Sequence, residues 1–479
     1  MNAKNYEIGF GADALIYAKS IALFGVSGDP NKKNVVGGTG ILNNLRRFGY
    51  KGKLYPINPK YDSVLGIKCY ASIGDVKDKV DLAVVAVGAE NVAGILEECG
   101  QAGVRCASII TSGFAELMTD EGIEMQNNIC EIAAKYDMRL VGPNNLGSYN
   151  MNNDMCGSTS TSLLCYDEMP KGSIAWVSQS GAICSSIYGR AMDAAIDIPI
   201  VLTTGNECDL ESADFIWHLA DDKAINVICV YSEAVKNREN FRNACKKALD
   251  NNKPVLVFKN GKTPRGSYAC MAHTASEAGE IDEYTAFFEE CGAIVLDSLD
   301  EFYDTANLLD KFSAFGDIEN VAVISTSGGS GICITDCMVQ AGMKVPDLSE
   351  KTKDAVKALI PSFASPRNPI DVTAHILRTI ENVAEVGRVL ERSGEVDAMI
   401  LAPTTIAPEA SITLAKDFVD IIKASKIPAA VQWYTGSGNM EAIKMIREAG
   451  IPVFTEYDSI RRAFMRRKQF FNKVNKHGG

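Results

Sequence analysis

Short apolar runs alternate with amphipathic stretches along the first 150 residues of the chain. The apolar runs predict five β-strands, which lie at 20–25, 53–57, 81–87, 107–111 and 139–141. Between these runs, apolar side chains recur at helical spacing, as in Val92, Ile95 and Leu96. Such strand–helix alternation predicts a parallel sheet covered by helices on both faces, the doubly wound α/β arrangement.

The same alternation continues to the C-terminus. A polar stretch at 150–162 precedes five further predicted strands at 173–177, 198–203, 227–231, 254–259 and 293–295. Four more are predicted at 321–325, 398–401, 429–432 and 452–454. We therefore expect three α/β domains, at 1–150, 151–315 and 316–479, which fits about 150 residues per domain. The segment 461–476 holds seven Lys or Arg residues and predicts a solvated terminal helix.

Charge and cysteine content narrow the class of protein. The chain has 48 Lys and Arg against 60 Asp and Glu, a net charge of −12, which argues against nucleic-acid or anionic-membrane partners. It lacks an 18-residue apolar stretch and the apolar core of a signal peptide. The 14 cysteines include no Cys-x-x-Cys pair, so we expect no zinc site and a reducing, cytoplasmic location.

Glycine-rich loops follow several of the predicted strands of the first domain. Gly25-Val26-Ser27-Gly28 follows the first strand, where backbone amides can approach a phosphate. The second strand ends at Asn58-Pro59-Lys60, a cation where a nicotinamide enzyme needs an acid, and this favours a phosphorylated ribose as in coenzyme A or NADP. Loops containing Ser112-Gly113 and Gly142-Pro143-Asn144 follow later strands, and together these loops predict one crevice at the carboxyl edge of the sheet.

A histidine of the second domain has the surroundings of a phosphorus nucleophile. His273 lies in a predicted loop behind two cations, Lys262 and Arg265. A neutral imidazole needs an acceptor that holds its tautomer, and Glu233 ends a neighbouring predicted strand. Ser178-Gln179-Ser180-Gly181 joins a strand to a helix, so its amides predict a phosphoryl cradle. His218, within an apolar helix, is predicted to be a packing residue, and the loop at 325–331 repeats the strand–loop–helix pattern.

In this order the motifs resemble the α subunit of NDP-forming acyl-CoA synthetases, the ADP-forming acetyl-CoA synthetase family related to the succinyl-CoA synthetase α subunit. The resemblance covers nearly the whole chain and includes Gly205-Asn206 and the segment 368–373. It implies a Rossmann-like CoA-binding domain followed by two flavodoxin-like parallel-sheet domains. The implied reaction is acyl-CoA + ADP + phosphate ⇌ carboxylic acid + CoA + ATP.

The resemblance also implies roles for individual residues. An acyl phosphate passes its phosphoryl group to His273, which Glu233 orients, and His273 delivers the group to ADP. Asn144 lies where acyl group and thiol meet. The phosphohistidine cradle would comprise Gln179, Ser180 and Gly181, and coenzyme A would be held by Gly25, Ser27, Lys60, Ser112 and Gly113.

The chain departs from the family pattern at three positions and in its length. Ala272 and Ala275 replace the serine and glycine that usually flank the family histidine, and Asn145 replaces a common cysteine, which we interpret as a different acyl group. No ATP-grasp segment is recognised in the 479 residues. We therefore expect a separate ATP-grasp β subunit that binds most of ADP/ATP and Mg²⁺, and a homo- or hetero-oligomer, with no metal site in this chain.

Two other functions stay open. A CoA-binding regulatory protein would keep the fold without turnover, and the altered histidine loop gives this hypothesis some weight. A CoA acyl transferase would exchange acids without any nucleotide. A nicotinamide dehydrogenase is disfavoured by the missing ribose-binding acid.

Overall fold

The computed structural model describes residues 6–29, 36–274, 281–374 and 380–477. Contacts divide the chain into two compact units, the first formed by residues 1–192 and 197–296, the second by 193–196 and 297–479. The α/β class with mostly parallel sheets is confirmed, whereas the domain limits at 150 and 315 stay a prediction. Among the described residues, none of the helices combines the length and apolarity needed to span a membrane.

The first sheet of unit one has five parallel strands in the order β2-β1-β5-β6-β7. Its elements are α1 (Asp13–Tyr17), β1 (Ser20–Phe24), α2 (Gly37–Arg47), β2 (Lys53–Ile57), β3 (Ser63–Val64), β4 (Ile67–Lys68), β5 (Leu82–Val85), α3 (Ala89–Gln101), β6 (Cys106–Ile109), α4 (Asp120–Lys135) and β7 (Arg139–Val141). The register pairs Ile21 with Leu54 on one side and Leu82 on the other. All five predicted strands are present, and the β3–β4 hairpin was not predicted.

The second sheet of unit one has seven strands in the order β14-β13-β12-β10-β11-β8-β9. Its elements are β8 (Gly147–Asn150), β9 (Met155–Ser158), β10 (Ile174–Ser178), α5 (Gly181–Asp193), β11 (Ile200–Thr203), α6 (Ser212–Asp221), β12 (Val227–Ser232), α7 (Arg238–Asp250), β13 (Val255–Lys259), α8 (Pro264–Thr274), α9 (Ile281–Glu290) and β14 (Ile294–Val295). Strands β8 and β9 are antiparallel. Neither strand was predicted: β9 lies within the stretch at 150–162 that was expected to be a polar separator, and β8 ends where that stretch begins.

One apolar cluster runs through both sheets of unit one. It joins Ile41 and Val84 of the first sheet's layers to Val177 and Phe215 of the second. A buried side chain bridges the same region, since Asn150 Nδ2 donates to the carbonyl oxygen of Ile16 at 3.1 Å. The two sheets therefore share a continuous core, which holds their loops in fixed relation.

Unit two contains one sheet of five parallel strands in the order β16-β15-β17-β18-β19. Its elements are α10 (Asp300–Lys311), β15 (Val321–Ser325), α11 (Gly328–Gln340), α12 (Glu350–Lys357), β16 (Ile370–Asp371), α13 (Ile380–Ser393), β17 (Ala398–Ala402), α14 (Pro408–Ala424), β18 (Ala429–Gln432), α15 (Met440–Glu448), β19 (Val453–Phe454) and α16 (Tyr457–His477). Helix α16 packs against α10 and α11. The expectation of a solvated tail is wrong for Arg466 and Arg467, which are 7% and 3% exposed.

Candidate functional site

The loops that follow the strands of the first sheet are tied to one another at its carboxyl edge. Asn58 Nδ2, after β2, donates to the Val26 carbonyl after β1 at 2.7 Å. The Asn144 backbone N–H, after β7, donates to the Thr111 carbonyl after β6 at 2.9 Å. Because parallel strands end at the same edge, these bonds assemble the loops into a crevice of the kind that binds ligands in open α/β sheets.

The turn after β1 can be built only with glycine. Gly25 has φ +83°, and a Cβ there would lie 1.9 Å from the carbonyl oxygen of Ala86. A Cβ on Gly38, in the first turn of α2, would lie 2.6 Å from the Phe24 carbonyl oxygen. The absence of side chains therefore lets α2 start directly against the ends of β1 and β5, close to where a phosphate would approach backbone amides.

Three of the predicted CoA-binding side chains lie on this edge. The Ser27 hydroxyl lies 3.3 Å from the Tyr61 hydroxyl, and the Ser27 N–H donates to Thr39 Oγ1 at 2.7 Å. Lys60, after β2, and Ser112, after β6, are both exposed. Residues 30–35, between Gly28 and α2, lie outside the described residues.

A carboxylate that the sequence did not single out occupies the loop after β6. Glu116 Oε1 accepts the Gly113 N–H at 2.5 Å and the Phe114 N–H at 3.2 Å. The N–H of Gly113, predicted to bind coenzyme A, is therefore held by the protein's own carboxylate. Burial alone would raise the pKa of Glu116, but the hydrogen bonds from Asn206 and from these N–H groups outweigh it and lower the pKa.

Asn144 belongs to a network that links both sheets. Its Nδ2 donates to Asn206 Oδ1 at 3.3 Å, and Asn206 Nδ2 donates to Glu116 Oε2 at 2.5 Å and to Gln126 Oε1 at 3.0 Å. Asn144 adopts the left-handed conformation, with φ +62°. A cluster of amides and one ionised carboxylate thus meets where the loops after β7 and β11 touch. Asn206 and Gln126 carry no site role in the sequence-based prediction.

Asn145 supports the loop and does not face the crevice. It is 3% exposed, and its Nδ2 donates to the carbonyl oxygens of Ile109 at 2.8 Å and Val141 at 3.3 Å. Its Oδ1 accepts the Gly147 N–H at 2.7 Å. Every polar atom of this amide is bonded to backbone, so the side chain braces the loop.

The loop after β10 forms a helix N-terminus with open donors. Ser178 Oγ donates to the Ser180 carbonyl at 2.7 Å and lies 3.2 Å from the Ser180 nitrogen, which tightens the turn into α5. Within the part of the chain that the structure describes, the N–H groups of Gly181 and Ala182 have no acceptor. Unpaired N–H groups and the positive helix end favour an anion at this place.

The side chain of Gln179 is directed to Glu233 and its neighbour. Gln179 Oε1 accepts the backbone N–H groups of Glu233 and Ala234, the second at 3.1 Å. Its Nε2 donates to the Ala234 carbonyl at 2.8 Å and to Glu207 Oε2 at 2.7 Å. Gln179 was predicted to hold the phosphoryl group, and the structure places its amide as a brace for the segment that begins at Glu233.

Glu233 follows β12 in a buried polar environment. It is 4% exposed, and Lys259 on the adjacent strand β13 is 1% exposed. Burial lowers the pKa of Lys259, partly offset by the negative potentials of Cys270 and Glu233. Burial also raises the pKa of Tyr231, and the charge of Glu233 adds to that shift. A carboxylate and a lysine therefore lie within electrostatic reach of each other at the end of the sheet.

His273 lies near the end of a helix and not in the predicted loop. Helix α8, Pro264–Thr274, contains its backbone, while its side chain and residues 275–280 lie outside the described part. Helix α8 lies against the one-turn helix Ala115–Leu117, which carries Glu116. The histidine-bearing element and the loop after β6 are therefore neighbours in unit one. His218 is half-buried and its Nε2 lies 2.6 Å from the Gly9 carbonyl oxygen, a packing role.

Unit two contains a strand–turn–helix segment like the one that follows β10. Ser325 Oγ donates to the Ser327 carbonyl at 2.8 Å and lies 3.1 Å from the Ser327 nitrogen, at the start of α11. These are the bonds that Ser178 makes to Ser180. The segment before β16 is held by Asn368, whose Oδ1 accepts the Val323 N–H at 2.9 Å. No group of three side chains suited to a metal ion occurs among the residues that can be described.

Family models match three consecutive segments of the chain. A CoA binding domain matches residues 19–150, a succinyl-CoA ligase like flavodoxin domain matches 171–309, and a Ligase-CoA domain matches 321–468. Each match contains most strands of one sheet, except that β8 falls in the first match and β9 lies between the first and the second.

Named relatives match most of the chain. The α subunit of ADP-forming acetate–CoA ligase II of Pyrococcus furiosus is 31% identical over 453 residues, 94% of this chain and 95% of that protein. The ADP-forming acetate–CoA ligase of Methanocaldococcus jannaschii is 35% identical over 372 residues, 78% of this chain and 50% of that protein. This chain thus spans about half the length of that relative, and 62% of a similar ligase of Archaeoglobus fulgidus.

A solved structure matches the chain over its full length. The dinucleotide forming acetyl-coenzyme A synthetase 1 of Ca. Korarchaeum cryptofilum, in complex with phosphate and ADP, superposes with a TM-score of 0.87. The two are 28% identical, and the match covers 98% of each chain.

Proposed function

Because this chain belongs to the family of the ADP-forming acetate–CoA ligases and matches their α subunits, we propose that it performs the CoA and phosphohistidine steps of an NDP-forming acyl-CoA synthetase. The observation that carries the proposal is the place of helix α8, which bears His273 and lies against the turn that follows the loop after β6. A residue that takes a phosphoryl group from an acyl phosphate must come close to the site where that acyl phosphate forms.

The reaction proceeds in three balanced transfers. A phosphate oxygen attacks the thioester carbonyl carbon, the C–S bond breaks, and CoA leaves as the thiol with an acyl phosphate as product. An imidazole nitrogen of His273 then attacks phosphorus, the bond from phosphorus to the acyl oxygen breaks, and the carboxylic acid leaves as carboxylate. The phosphoryl group finally passes to the terminal phosphate oxygen of ADP, which yields ATP and restores the imidazole.

The described residues supply orientation and charge for these steps. We assign Glu233 as the acceptor that holds the other imidazole N–H of His273. The unpaired N–H groups of Gly181 and Ala182 at the start of α5 stabilise the phosphoryl oxygens. Ser180 shapes that turn, and Gln179 positions Glu233.

Coenzyme A is assigned to the carboxyl edge of the first sheet. Exposed Lys60 suits the phosphorylated ribose, and Ser27 and Ser112 lie on the flanking loops. Gly25 contributes by allowing the close approach of backbone. Gly113 contributes through loop shape, since Glu116 holds its N–H. Asn144 is placed at the meeting point of acyl group and thiol.

The nucleotide step is assigned to a partner. The relatives that are twice as long contain a further segment, whereas α-subunit relatives share the length of this chain. We propose a separate ATP-grasp β subunit that binds ADP/ATP with Mg²⁺, a hetero-oligomeric complex, and a small carboxylic acid as the other product. All 14 cysteines are free thiols, which supports a reducing, cytoplasmic setting.

Formation of ATP tests the proposal as a whole. The chain is mixed with an ATP-grasp β subunit, ADP, Mg²⁺, phosphate and each of a panel of acyl-CoA thioesters, and ATP is measured by luciferase. We expect ATP only when both chains are present, none with His273→Ala, and parent activity with His218→Gln, whose side chain serves packing. CoA binding without ATP for every thioester would instead indicate a regulatory protein. Exchange of CoA between two acids without nucleotide would indicate a transferase.

A further inference from the structure

A single turn joins the two halves of the candidate site. The turn Gly205-Asn206-Glu207 follows β11, and the side chains of Asn206 and Glu207 form hydrogen bonds with different parts of the site. Glu207 has φ +49°, and a Cβ on Gly205 would lie 2.2 Å from the Pro143 carbonyl oxygen. The turn therefore packs closely against the loop after β7, and a side chain at position 205 would displace that loop.

The first half of the turn belongs to the CoA and acyl side. The Asn206 N–H donates to the Pro143 carbonyl at 2.9 Å, and its side chain bonds Asn144 and Glu116 as described above. Through Glu116 these contacts reach the Gly113 N–H. Asn206 thus connects the loops after β6 and β7.

The second half of the turn belongs to the histidine side. Glu207 is 3% exposed, and its Oε1 accepts the Ser212 N–H at 3.0 Å and the Ser212 hydroxyl at 2.6 Å. Its Oε2 accepts Gln179 Nε2 at 2.7 Å, and Gln179 Oε1 accepts the Glu233 N–H. An unbroken line of hydrogen bonds therefore runs from Glu207 to the backbone of Glu233.

The chemistry of this line depends on a carboxylate at one end. An amide can present either its oxygen or its NH₂ to a neighbour, but an ionised carboxylate only accepts. Burial raises the pKa of Glu207, and the hydrogen bonds from Ser212 and Gln179 partly offset that rise. As an acceptor for Gln179 Nε2, Glu207 Oε2 reinforces the orientation in which the Gln179 oxygen faces the N–H groups of Glu233 and Ala234. Lys236 completes the arrangement, because its Nζ donates to the carbonyl oxygens of Asn206 at 2.7 Å and Glu207 at 2.9 Å.

We propose that Glu207 is a positioning residue that fixes the backbone position of Glu233 through Gln179. Lys236 holds the turn Gly205-Asn206-Glu207 in place, so that the CoA side and the histidine side of the site stay in a fixed relative position. This inference rests on the proposed function, since it concerns the orientation of the acceptor of His273. Neither residue touches substrate. Each acts through the segment it holds.

The rate at which His273 is labelled with phosphate directly measures the effect of Glu207 on the site. The parent chain is incubated with radioactive phosphate and an acyl-CoA, and the rate of phosphohistidine formation is recorded beside the dissociation constant of CoA. In Glu207→Gln a single oxygen must serve both Gln179 and Ser212, so the NH₂ faces a donor on one side, either Gln179 Nε2 or the Ser212 N–H, and the line is weakened in both cases. We expect labelling to slow by about ten- to hundred-fold. The CoA dissociation constant is expected to change by less than about two-fold, because the Asn206 contacts remain.

A second buried carboxylate separates loss of positioning from general damage. Asp214→Asn is the matched control, because this carboxylate is also buried, bonds the Gly9 and Glu211 N–H groups, and is expected to leave labelling unchanged.

Lys236→Met tests whether Lys236 holds the turn Gly205-Asn206-Glu207. Loss of its two bonds frees the turn on both sides, so we expect slower labelling together with weaker CoA binding. If Glu207→Gln does not fold, Gln179→Met breaks the same line from its other end and carries the same expectation.

Two outcomes distinguish this inference from the proposed function. A parent chain that labels, with Glu207→Gln labelling at the same rate, overturns the positioning role and leaves the proposed function intact. A parent chain that labels with none of the thioesters overturns the proposed function, and the inference with it.

Discussion

Two adjacent asparagines, Asn144 and Asn145, have opposite surroundings. Asn144 presents its amide to Asn206, while Asn145 is enclosed by backbone. The sequence-based interpretation, in which Asn145 reflects a different acyl group, gains no support from these contacts and stays a prediction, because the polar atoms of Asn145 bond Ile109, Val141 and Gly147. A motif shows which residues enter a loop, but the direction of each side chain depends on strands that are distant in sequence.

Replacement of Asn145 is expected to affect stability. Asn145→Ala leaves two carbonyl oxygens and one N–H buried without partners, and we expect the free energy of unfolding to fall by about 2–4 kcal/mol. Equilibrium urea unfolding measures the change, and Asn127→Ala, an exposed position on α4, is the matched control with little effect. A stable Asn145→Ala variant with altered acyl-CoA preference would support the acyl-selecting interpretation.

Glu211, next to Glu207, links stability to pH. Burial and then the charge of Glu207 raise the pKa of Glu211 to about 7, from about 4.3 in an unfolded chain. Between these values the folded state binds a proton that the unfolded state does not, so this group's contribution to the free energy of unfolding falls as pH rises. Its stabilisation is present below about pH 4 and lost above about pH 7.

Glu211→Gln mimics the protonated carboxyl at every pH. We expect the variant to match the parent near pH 4.5 and to be more stable by about 1–2 kcal/mol at pH 8. Urea unfolding of both proteins across this range gives the difference, in which contributions of other groups cancel. A difference that stays constant with pH would show that Glu211 titrates normally.

At the scale of elements, most strands follow from apolar pattern alone. All of the strands predicted for the first sheet occur, because most of their residues are buried, as all five of Ser20–Phe24 are. Strands β8 and β9 were missed because they are short and polar and are stabilised by antiparallel pairing, of β8 to β11 and of β9 to β8. Helix α8 was missed because its small residues carry no clear apolar period.

For the C-terminal helix the sequence-based prediction erred in the opposite direction, because its many cations suggested more solvent exposure than the structure shows. Arg466 on α16 bonds Glu301 of α10 at 3.2 Å and Asp297 at 2.9 Å. The side chains of Arg466 and Glu301 are 8% and 2% exposed. A run of cations predicts a solvated face only when no buried carboxylate lies opposite, and that partner is 165 residues away in sequence.

Breaking this buried pair is expected to destabilise unit two. Arg466→Met leaves the buried Glu301 carboxylate with only the longer contact to Arg462 at 3.8 Å, with an expected cost of about 2–4 kcal/mol. Urea unfolding checks the value against Lys476→Met, an exposed cation of the same helix that we expect to change little. Equal, small effects for both variants would mean that α16 is solvated as first predicted.

At the scale of the whole molecule, sequence pattern indicated the α/β class and the order of the binding loops. It could not show how the loops connect, because Asn206, Glu207 and Gln179 join segments that are 28 to 90 residues apart. The net charge of −12 is compatible with an anionic cofactor, since exposed Lys60 and the open N–H groups of α5 provide local positive potential.

The central claim is that His273 accepts phosphate that enters through acyl-CoA. The most direct measurement incubates the chain alone with radioactive phosphate and a panel of acyl-CoA thioesters, without nucleotide. We predict an acid-labile, base-stable label on the parent and on His218→Gln, free CoA released with it, and no label on His273→Ala. Equal labelling of His273→Ala, or no labelling by any thioester although CoA binds, would contradict the account.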